Sequence, residues 1–336
     1  MTADSSSVVE SVTRSLPQDA RTGPDLVVLR RLVRRRSTLY FVGRSARRPR
    51  ICCVVKRPNT DVQQHDLEPP ATAADQYEAL RTLRDQLQRL GAPLSAPAPL
   101  ALLPEIGAFA MEHVQGRSIA QVLRPDVVVR PQQLFAALVD AAATLRAVHA
   151  FEPAQQVRVA AAGADVSAPT DVRILLDRAG LPVRPGWFGE RSRAPGQVET
   201  WVRLHGDYAP ENILLTSHGS YCLDPDLSTR GLAEHDVVRF LTMLFDAPFF
   251  VTGVGLPPVQ RLRRQAAAVF VEHYYAGSGP PPAFQPMLVD SLARRWVTRH
   301  EHVVARAPSL QRARTSLLHR YFCRLLDEQS ATAAGR

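Results

Sequence analysis

The sequence predicts an α+β fold of two lobes, in which a small antiparallel β-rich N-terminal lobe with one helix precedes a larger, mainly helical C-terminal lobe. Three observations support this prediction. Short β-branched and aromatic runs, separated by Arg, Gly and Pro, begin at residue 25. An amphipathic helical pattern follows over residues 71–91. Beyond Gly116, alanine- and leucine-rich stretches with helical spacing dominate the chain.

The length and composition are those of a globular protein large enough for two lobes. The chain has 336 residues, of which 45% are hydrophobic and 22% are charged. It contains no apolar run of about 18 residues, so we expect no transmembrane segment. No basic stretch followed by an apolar core opens the chain, so we expect no secretion signal and a cytoplasmic location. Residues 1–24 are predicted to be a disordered leader and residues 331–336 a disordered tail.

The N-terminal lobe is predicted to span residues 25–113. Its first three strands are "DLVVLRRLVRR", "STLYFVG" and "RICCVVKR". Leu80, Leu83 and Leu87 recur at a spacing of three to four residues, which predicts an amphipathic helix that ends at Gly91. The stretch "APLSAPAPLALLPEIGAFAMEHV" then predicts a Pro-rich loop and two further short strands.

The C-terminal lobe is predicted to span residues 114–330, after a hinge near Glu112 to Gly116. A long buried helix is predicted for "PQQLFAALVDAAATLRAVHAFEP". The segment "VRLHGDYAPENILLTSHGSYCLDPDLSTRG" reads as strand, loop, strand and loop. Helical stretches with breaks complete the chain over roughly 233–246, 258–277 and 284–326.

Charge and cysteine content narrow the range of partners only a little. The net charge is +9, and Lys56 is the only lysine among 41 lysine and arginine residues, so a single arginine carries little information about function. No basic block interleaved with aromatic residues is present, so we expect no nucleic-acid partner. The four cysteines match no zinc or disulfide spacing, and we expect free, buried thiols. The sequence does not distinguish a monomer from a homodimer.

The stretch "HGDYAPENILL" carries the strongest chemical signal, because it supplies His205, Asp207 and Asn212 on one short loop. Asp224 follows Asn212 by twelve residues, and the predicted hairpin between them turns Asp224 back towards Asn212. Phosphoryl transfer needs a carboxylate near the incoming hydroxyl, with an amide and a second carboxylate for the metal. Taken singly, Asp207 also fits a turn or a helix cap, and His205 a packed core histidine.

Lys56 stands at the end of a predicted strand, where a chance lysine is the alternative to a functional one. Its ammonium is a compact charge on a slim stem, which reaches between nucleotide phosphates more easily than a wider guanidinium does. The agreement of Lys56 with Asp207, Asn212 and Asp224 favours phosphoryl transfer over coincidence.

These residues resemble the aminoglycoside phosphotransferase and choline kinase superfamily, whose members share the protein-kinase-like fold. The resemblance covers most of residues 25–245 and is most specific over 205–240. The family's catalytic loop is similar to "HGDYAPENILL", its metal motif to "LDPDLSTRG" and its hinge to "MEHVQGRSI". The helix before its catalytic segment is similar to "ALVDAAATLRAVHA".

The resemblance implies roles for the residues of the catalytic loop and the metal motif. Asp207 would be the catalytic base or the carboxylate that orients the hydroxyl. Asn212 and Asp224 would bind Mg2+, and Asp226 would contact a second ion. His205 would brace the loop.

The resemblance also implies a nucleotide site that uses ATP or GTP. Lys56 would contact its phosphates, and backbone groups of Glu112 and Val114 would bind adenine. Asp236 resembles the aspartate that ties the catalytic loop down, and a helix-start role is a comparable alternative.

The chain departs from the family pattern at the turn that should cover the phosphates. This turn contains no glycine and reads "RRRST", from Arg34 to Thr38. The hydroxyls of Ser37 and Thr38, the backbone amides or an arginine are the candidate phosphate contacts. An ordinary solvated turn is an equal alternative.

A second departure concerns the acidic partner of the lysine. Family members often carry Glu-Tyr-Glu-Ala-Leu on the helix after the lysine strand, whereas here Gln76 replaces the first glutamate. Helical periodicity places Gln76 on the side of Leu80 and Glu78 on the opposite, solvent side. Gln76, Glu78 and Asp75 all stay candidates.

The predicted function is that of a small-molecule kinase that transfers the γ-phosphate of ATP to a hydroxyl of a sugar, a glycan or an antibiotic. The helical lobe carries aromatic residues suited to stacking, Tyr274, Tyr275 and Trp296. It also carries many arginines, which favour a neutral or anionic acceptor over a polycation: Arg261, Arg263, Arg264, Arg294, Arg295, Arg299, Arg306, Arg312 and Arg314. For any single one of these residues, a solvated arginine-rich surface with buried aromatic residues is the alternative. A nucleotide-binding protein with little or no turnover is the first alternative, and a protein kinase ranks below it.

Overall fold

The computed structural model describes residues 3–16, 26–33, 37–44, 50–59, 71–90, 94–158, 171–184, 186–188, 198–227, 229–306 and 311–334. The chain divides into two compact units. The first unit comprises Met1–Arg117 and Leu214–Ser228, and the second comprises Ser118–Ile213 and Thr229–Arg336. The division falls close to the predicted boundary after residue 113, and it adds the segment after Ile213 to the first unit.

The first unit is built on one antiparallel sheet. The bounds of its helices and strands are α1 (Ala3–Ser15), β1 (Leu26–Val33), β2 (Ser37–Arg44), β3 (Arg50–Pro58), α2 (Ala73–Arg89), β4 (Leu94–Ser95), β5 (Pro99–Leu103), β6 (Ala108–Glu112) and β7 (Arg117–Ser118). Five of these strands form a sheet in the order β1-β2-β3-β6-β5, and every neighbouring pair is antiparallel. The predicted antiparallel β-rich lobe is confirmed.

Alternation along β3 places Lys56 on the face of the sheet that α2 covers. Cys53 and Val55 lie in the core cluster on one face, so Val54 and Lys56 point to the other. Lys56 pairs with Leu39 of β2 and with Phe109 of β6, in the middle of the sheet. The lysine is therefore held by strands on both sides.

Helix α1 corrects the prediction of a disordered leader over residues 1–24 for residues 3–16, and the remaining residues of the predicted leader lie outside the described part of the chain. Ala3–Ser15 is helical, and Val8, Val12 and Leu16 are buried in the core cluster of the sheet. These residues recur every four positions, so they form one apolar stripe that packs against β1 and β5. The stripe was not recognised from the sequence, because the residues around it are polar. The first unit therefore contains a second helix among its described residues.

Helix α2 begins and ends where the sequence predicts. Thr72 and Asp75 form a capping box, in which each side chain accepts a hydrogen bond from the other's backbone N–H. Leu80, Leu83 and Leu87 are buried, which confirms the predicted apolar face. Helix α2 contacts β3, β5 and β6.

A smaller sheet joins the segment after Ile213 to strands of the first unit. The next strands are β8 (Gln155–Arg158), β9 (Val198–Arg203), β10 (Ile213–Thr216), β11 (Gly219–Cys222) and β12 (Arg230–Leu232). The sheet has the order β4-β11-β10-β7, and β11 runs parallel to β4. A Cβ atom on Gly116 would lie 2.6 Å from the carbonyl oxygen of Leu215, so this close approach of the predicted hinge requires glycine.

The second unit is mainly helical, as predicted. Its last helix extends to Ala334, which corrects the predicted disordered tail over residues 331–336 up to that residue. Its helices are α3 (Ile119–Val122), α4 (Gln132–His149), α5 (Val172–Arg178), α6 (Glu234–Phe245), α7 (Pro248–Thr252), α8 (Pro257–Tyr275), α9 (Phe284–Arg306) and α10 (Gln311–Ala334). Single 3-10 turns occur at Pro125–Val128 and Pro210–Asn212 in this unit and at Pro104–Ile106 in the first. A three-stranded sheet has the order β12-β9-β8. Phe240 and Phe270 stack in the core with ring centroids 4.1 Å apart. No helix in the described part of the chain is both long and apolar enough to cross a membrane.

Candidate active site

Lys56 forms a buried ion pair with Asp224 within the first unit. Its Nζ lies 3.0 Å from Oδ1 of Asp224, and Lys56 is only 8% exposed. A buried ammonium needs an anionic partner, because desolvation otherwise makes its charge unfavourable. The structure thus answers the question that the sequence left open, since the anion beside Lys56 is Asp224.

The backbone is unusual where it positions Asp224. Asp224 has a φ angle of 55° and Leu227 one of 52°, both in the left-handed region that residues other than glycine rarely adopt. Such conformations cost free energy and persist where the surrounding structure requires them. Asp226, between them, is half-buried. The turn after β11 therefore has a constrained shape.

Of the candidate partners on α2, only Gln76 lies near Lys56. Gln76 lines a small cavity together with Lys56 and Asp224. Its Nε2 donates to the carbonyl of Ala71 at 3.2 Å, whereas its Oε1 is buried without a hydrogen-bond partner in the described part of the chain.

The two acidic candidates on α2 are engaged elsewhere. Glu78 is exposed and pairs with Arg81, with Nη2 2.5 Å from Oε2. Asp75 accepts hydrogen bonds from both the backbone and the hydroxyl of Thr72. The predicted solvent-facing position of Glu78 is confirmed.

The hydroxyl-bearing residues of the glycine-free turn lie inside the first unit. Ser37 and Thr38 open β2 and are buried, and Thr38 donates its hydroxyl hydrogen to Oδ1 of Asn59 at 3.1 Å. Because both residues are buried, contact of their hydroxyls with a nucleotide phosphate stays a prediction. The residues Arg34–Arg36 of this turn lie outside the described part of the chain.

In the predicted hinge, Glu112 is hydrogen-bonded to the segment before β5, whereas the backbone of Val114 is not hydrogen-bonded within the residues described. Glu112 accepts a hydrogen bond from the backbone N–H of Ala98 at 3.0 Å, and its own N–H donates to the carbonyl of Ala98. The backbone of Val114 makes no hydrogen bond within the residues described, and its contact with a nucleotide base stays a prediction. Between them, the ring of His113 packs edge-on against Phe41 at 6.1 Å.

Asp236 anchors the loop of the second unit that runs from His205 to Asn212. Its Oδ2 accepts the backbone N–H of His205 at 2.6 Å, and its Oδ1 accepts that of Gly206 at 3.1 Å. Gly206 has a φ angle of 82°, which explains the glycine between His205 and Asp207. His205 is fully buried, with its ring 5.1 Å from that of Tyr208. The predicted anchoring by Asp236 is confirmed.

His149 and Tyr274 extend this anchor into the helical core. Nε2 of His149 lies 3.0 Å from Asp236 and Nδ1 lies 2.6 Å from the hydroxyl of Tyr274. Burial raises the pKa of the Tyr274 hydroxyl. Because a carboxylate only accepts, Nε2 of His149 donates to Asp236. Burial opposes the charge of Asp236, but the hydrogen bond from His149 and the nearby histidines hold its pKa below the usual range.

Asp207 has donors on both carboxylate oxygens. Arg239 donates from Nε to Oδ1 at 2.9 Å and also contacts Oδ1 through Nη2. Asn212 donates from Nδ2 to Oδ2 at 3.3 Å and to the backbone carbonyl of Asp207 at 2.9 Å. Arg239 is a residue that sequence reasoning missed. Its only signal was its position three residues after Asp236, on the same helix.

The donor atoms suit a hard divalent cation. Asn212 is buried and uses Nδ2 in hydrogen bonds, while its Oδ1 accepts none within the described residues. Carboxylate and amide oxygens are the atoms that Mg2+ prefers in proteins. No group of three or more His, Cys, Asp or Glu side chains suited to a metal occurs in the described part of the chain. Asp207 and Asn212 belong to the second unit, and Asp224 and Asp226 to the first.

Several residues predicted to face an acceptor are occupied in the core of the second unit. Trp296 is fully buried and stacks on Phe322, and Tyr274 is bound to His149. Several arginines pair with acids, which offsets part of their charge: Arg263 and Arg264 with Glu328, Arg294 with Asp290, and Arg295 and Arg299 with Asp246. Trp296 and Tyr274 thus match the alternative of buried aromatic residues rather than a stacking platform, because packing in the core uses their rings.

Comparison with known proteins agrees with the observed fold. A model of the family described as "Phosphotransferase enzyme family" matches residues 29–276. No curated protein matches the chain. Among solved structures, the chain is similar to a choline/ethanolamine kinase family protein from Mesorhizobium loti, with 15% identity, a TM-score of 0.51 and 98% of each chain covered.

Two further solved structures have bound ligands. An amicoumacin kinase in complex with AMP-PNP, Ca2+ and Ami has 12% identity and a TM-score of 0.51, with 96% of this chain and 92% of that chain covered. A glucosamine kinase in complex with glucosamine, ADP and inorganic phosphate has 16% identity and a TM-score of 0.52, with 92% and 81% covered. The predicted protein-kinase-like fold is confirmed.

Proposed function

The chain belongs to the phosphotransferase enzyme family, and from this premise we propose that it is a small-molecule kinase that transfers the γ-phosphate of ATP to a hydroxyl group. The observation that carries the proposal is the catalytic loop. Asp207 is held from both sides by Arg239 and Asn212, on a backbone that Asp236 anchors. A carboxylate fixed in this way is suited to binding an acceptor hydroxyl.

In this proposal Asp207 orients the acceptor hydroxyl and receives its proton. Each carboxylate oxygen has more than one acceptor lone pair, so the donors already present leave capacity for the hydroxyl hydrogen. Arg239 and Asn212 restrict rotation of the carboxylate, which keeps the incoming oxygen aligned with the phosphorus atom. His205 contributes through packing and not through proton transfer.

The nucleotide would be bound by residues of the first unit. Lys56 would contact the phosphates, and the backbone of Glu112 and Val114 would bind adenine or guanine. Asn212 and Asp224 would hold Mg2+, with Asp226 at a second ion. Bound Mg2+ supplies positive charge that offsets the negative charge of the phosphates during transfer.

The acceptor class is proposed from the activities of proteins with the same fold. These proteins are described as kinases of choline or ethanolamine, of glucosamine and of amicoumacin. We therefore propose a hydroxyl-bearing sugar, glycan or antibiotic as the acceptor. A polycationic acceptor stays among the candidates, since ion pairs with acids offset part of the positive charge of the second unit's arginines.

A screen for acceptor-dependent ADP release tests the proposal. Purified full-length chain would be incubated with ATP and Mg2+ against a panel of sugars, amino alcohols and antibiotics. With an active acceptor, Asp207→Asn should lower turnover at least about a hundredfold and leave ATP binding unchanged. Asp177→Asn, an exposed aspartate on α5, is the matched control. Equal turnover of Asp207→Asn and the wild type would refute the assignment.

The second candidate is a protein that binds nucleotide with little or no turnover. Gln76 favours it, because an amide holds a lysine less strongly than a carboxylate does. ATP binding without ADP release across the whole panel would support this candidate over the kinase.

A further inference from the structure

We propose that an open cavity beside helix α10 is a second ligand site, which binds a small molecule through its phosphate or carboxylate group. The cavity has a volume of about 570 Å3, which suits a small-molecule ligand. All of its lining residues belong to the second unit. They differ from the residues to which the proposed function assigns a role, so the inference goes beyond that function and does not depend on it.

The first support is a group of unpaired donors on one face of α10. Residues three and four positions apart lie on the same face of a helix, and α10 lines the cavity with this spacing: Ser316, His319, Arg320, Cys323 and Asp327. Ser316, His319 and Arg320 make no hydrogen bond or ion pair within the described residues. A hydroxyl, an imidazole and a guanidinium therefore share one wall and are available to an oxygen-rich ligand.

The second support is that the acid in the lining is directed to other donors. Oδ2 of Asp327 lies 2.6 Å from Nη1 of Arg184, and Oδ1 accepts the indole N–H of Trp187 at 2.8 Å. Asp327 therefore offsets the charge of Arg184 and not that of Arg320. The guanidinium of Arg320 is exposed and free to bind an anion.

The third support is the net charge of the lining. Arg184, Arg320 and Arg324 face a single acid, Asp327, which leaves two positive charges in excess. Burial raises the pKa of the Cys323 thiol, so this side chain adds no negative charge. Guanidinium groups bind phosphate and carboxylate oxygens through paired N–H donors. The excess charge thus favours an anionic ligand over a neutral one.

The nearest further acid does not cancel this excess. Nε of Arg324 lies 3.5 Å from Oε1 of Glu328, but Glu328 also pairs with Arg263 and Arg264. One carboxylate shared among three arginines leaves part of the charge of Arg324 available to the cavity.

The fourth support is that the walls of the cavity are held in place. The ring of His319 packs edge-on against Trp296 at 5.4 Å, and Trp296 is fully buried and stacks on Phe322. On the opposite wall, the pairing of Arg184 and Trp187 with Asp327 fixes this segment to α10. A site whose donors are fixed before binding loses less entropy when the ligand enters.

Calorimetry with two simple anions tests the inference. Full-length protein without nucleotide would be titrated with inorganic phosphate and with citrate, and NaCl would keep the ionic strength constant. At least one of the two anions should bind in a saturable way. The anion that binds more tightly identifies the ligand group as phosphate or carboxylate.

Variants of Arg320 locate the binding. Arg320→Gln removes the charged donor and should weaken anion binding about tenfold. Arg320→Glu reverses the charge and should remove measurable binding. Arg261→Gln and Arg261→Glu, at an exposed position of α8, are matched controls that should titrate as the wild type does.

A further variant separates this site from the proposed nucleotide site, where inorganic phosphate is also expected to bind. Lys56→Met removes the proposed phosphate contact in the first unit. The binding that depends on Arg320 should persist in this variant, because all of the residues that carry it lie in the second unit. Loss of all phosphate and citrate binding in Lys56→Met would overturn the inference.

Two other results would also overturn it. One is the absence of saturable binding of either anion, and the other is equal affinity of the wild type, Arg320→Gln and Arg320→Glu. Ser316→Ala removes a neutral donor from the same wall and should weaken binding severalfold, so it serves as the test if the Arg320 variants fail to fold. None of these measurements involves ADP release, so the inference and the proposed kinase activity can fail independently.

Discussion

Lys56 and Asp224 meet at 3.0 Å, which joins the centre of the five-stranded sheet to the turn after β11. The two residues are distant in sequence, and no acid on α2 takes the place of Asp224. This ion pair gives the only lysine of the chain a buried, oriented position. In the proposed kinase, it holds the nucleotide-phosphate lysine in place before the nucleotide binds.

Replacement of Lys56 by arginine should impair nucleotide binding although the charge is kept. The guanidinium is larger and planar, and the buried position beside Asp224 fits a slim ammonium. We expect Lys56→Arg to weaken binding of a non-hydrolysable ATP analogue at least about tenfold in calorimetry. Arg81→Lys, on the exposed face of α2, is the control for a change of cation type. Unchanged affinity of Lys56→Arg would show that the lysine does not contact the nucleotide.

Loss of Arg239 should slow the chemical step more than it weakens nucleotide binding. Arg239 holds Oδ1 of Asp207, so its removal lets the carboxylate rotate away from the acceptor hydroxyl. We expect Arg239→Gln to lower kcat about tenfold to a hundredfold, with the KM for ATP nearly unchanged. Arg239→Lys should recover part of the loss. Arg261→Gln, at an exposed position of α8, provides the comparison, and equal kcat values for both glutamine variants would exclude a positioning role.

Replacement of Asp236 should destabilise the second unit. Its carboxylate accepts hydrogen bonds from N–H groups of His149, His205 and Gly206. The NH2 group of an asparagine would face one of these N–H donors, and two donors cannot form a hydrogen bond. We expect Asp236→Asn to lower the free energy of unfolding by about 2 kcal/mol or more. Urea denaturation measures the change, with Asp177→Asn as the exposed control. A change below about 0.5 kcal/mol would contradict the network.

The hinge should respond to pH through His113. Burial, and secondarily the charge of Arg30, lower the pKa of this ring. A histidine with a lowered pKa gives its full contribution to stability above its unfolded value of about 6.5, and the contribution is lost as the pH falls through the folded value. NMR titration should give a pKa for His113 below about 6.5 that rises in Arg30→Gln. Arg31→Gln is the neighbouring control, and an unshifted pKa in the wild type would contradict this account.

Helix α1 should contribute to the stability of the first unit. Val12 is fully buried against the sheet, so Val12→Ala leaves a cavity in the core cluster. We expect a loss of about 1–3 kcal/mol in the free energy of unfolding. Val33→Ala removes the same atoms from a residue that is 62% exposed and should cost much less. Similar losses for the two variants would show that α1 does not pack on the sheet in solution.

The parts that the sequence predicted are those carried by periodicity and by local spacing. The strand runs, the stripe of Leu80, Leu83 and Leu87, and the loop from His205 to Asn212 each have a pattern within a few residues. Helix α1 was missed because its short apolar stripe lies among serines and charged residues. The match to the phosphotransferase family confirms the resemblance that these patterns suggested.

The contacts that the sequence did not reveal join residues far apart in the chain. The pairs Lys56–Asp224 and His149–Tyr274 depend on how strands and helices pack, which residue spacing does not encode. For the arginines of α8 and α9 the error was different, because the sequence suggested a surface role where the structure shows ion pairs. They read as a basic surface, whereas many pair with Glu328 and Asp246, which lie elsewhere in the sequence.

Transfer of radiolabelled γ-phosphate from ATP to an acceptor tests the central claim most directly. The wild-type chain, with Mg2+ and the active compound from the acceptor panel, should give a phosphorylated small molecule. Asp207→Asn should give none above background, while Asp177→Asn gives the wild-type amount. Labelled product formed equally by Asp207→Asn, or label found only in free phosphate, would contradict the account of Asp207 as the residue that directs phosphate to a hydroxyl.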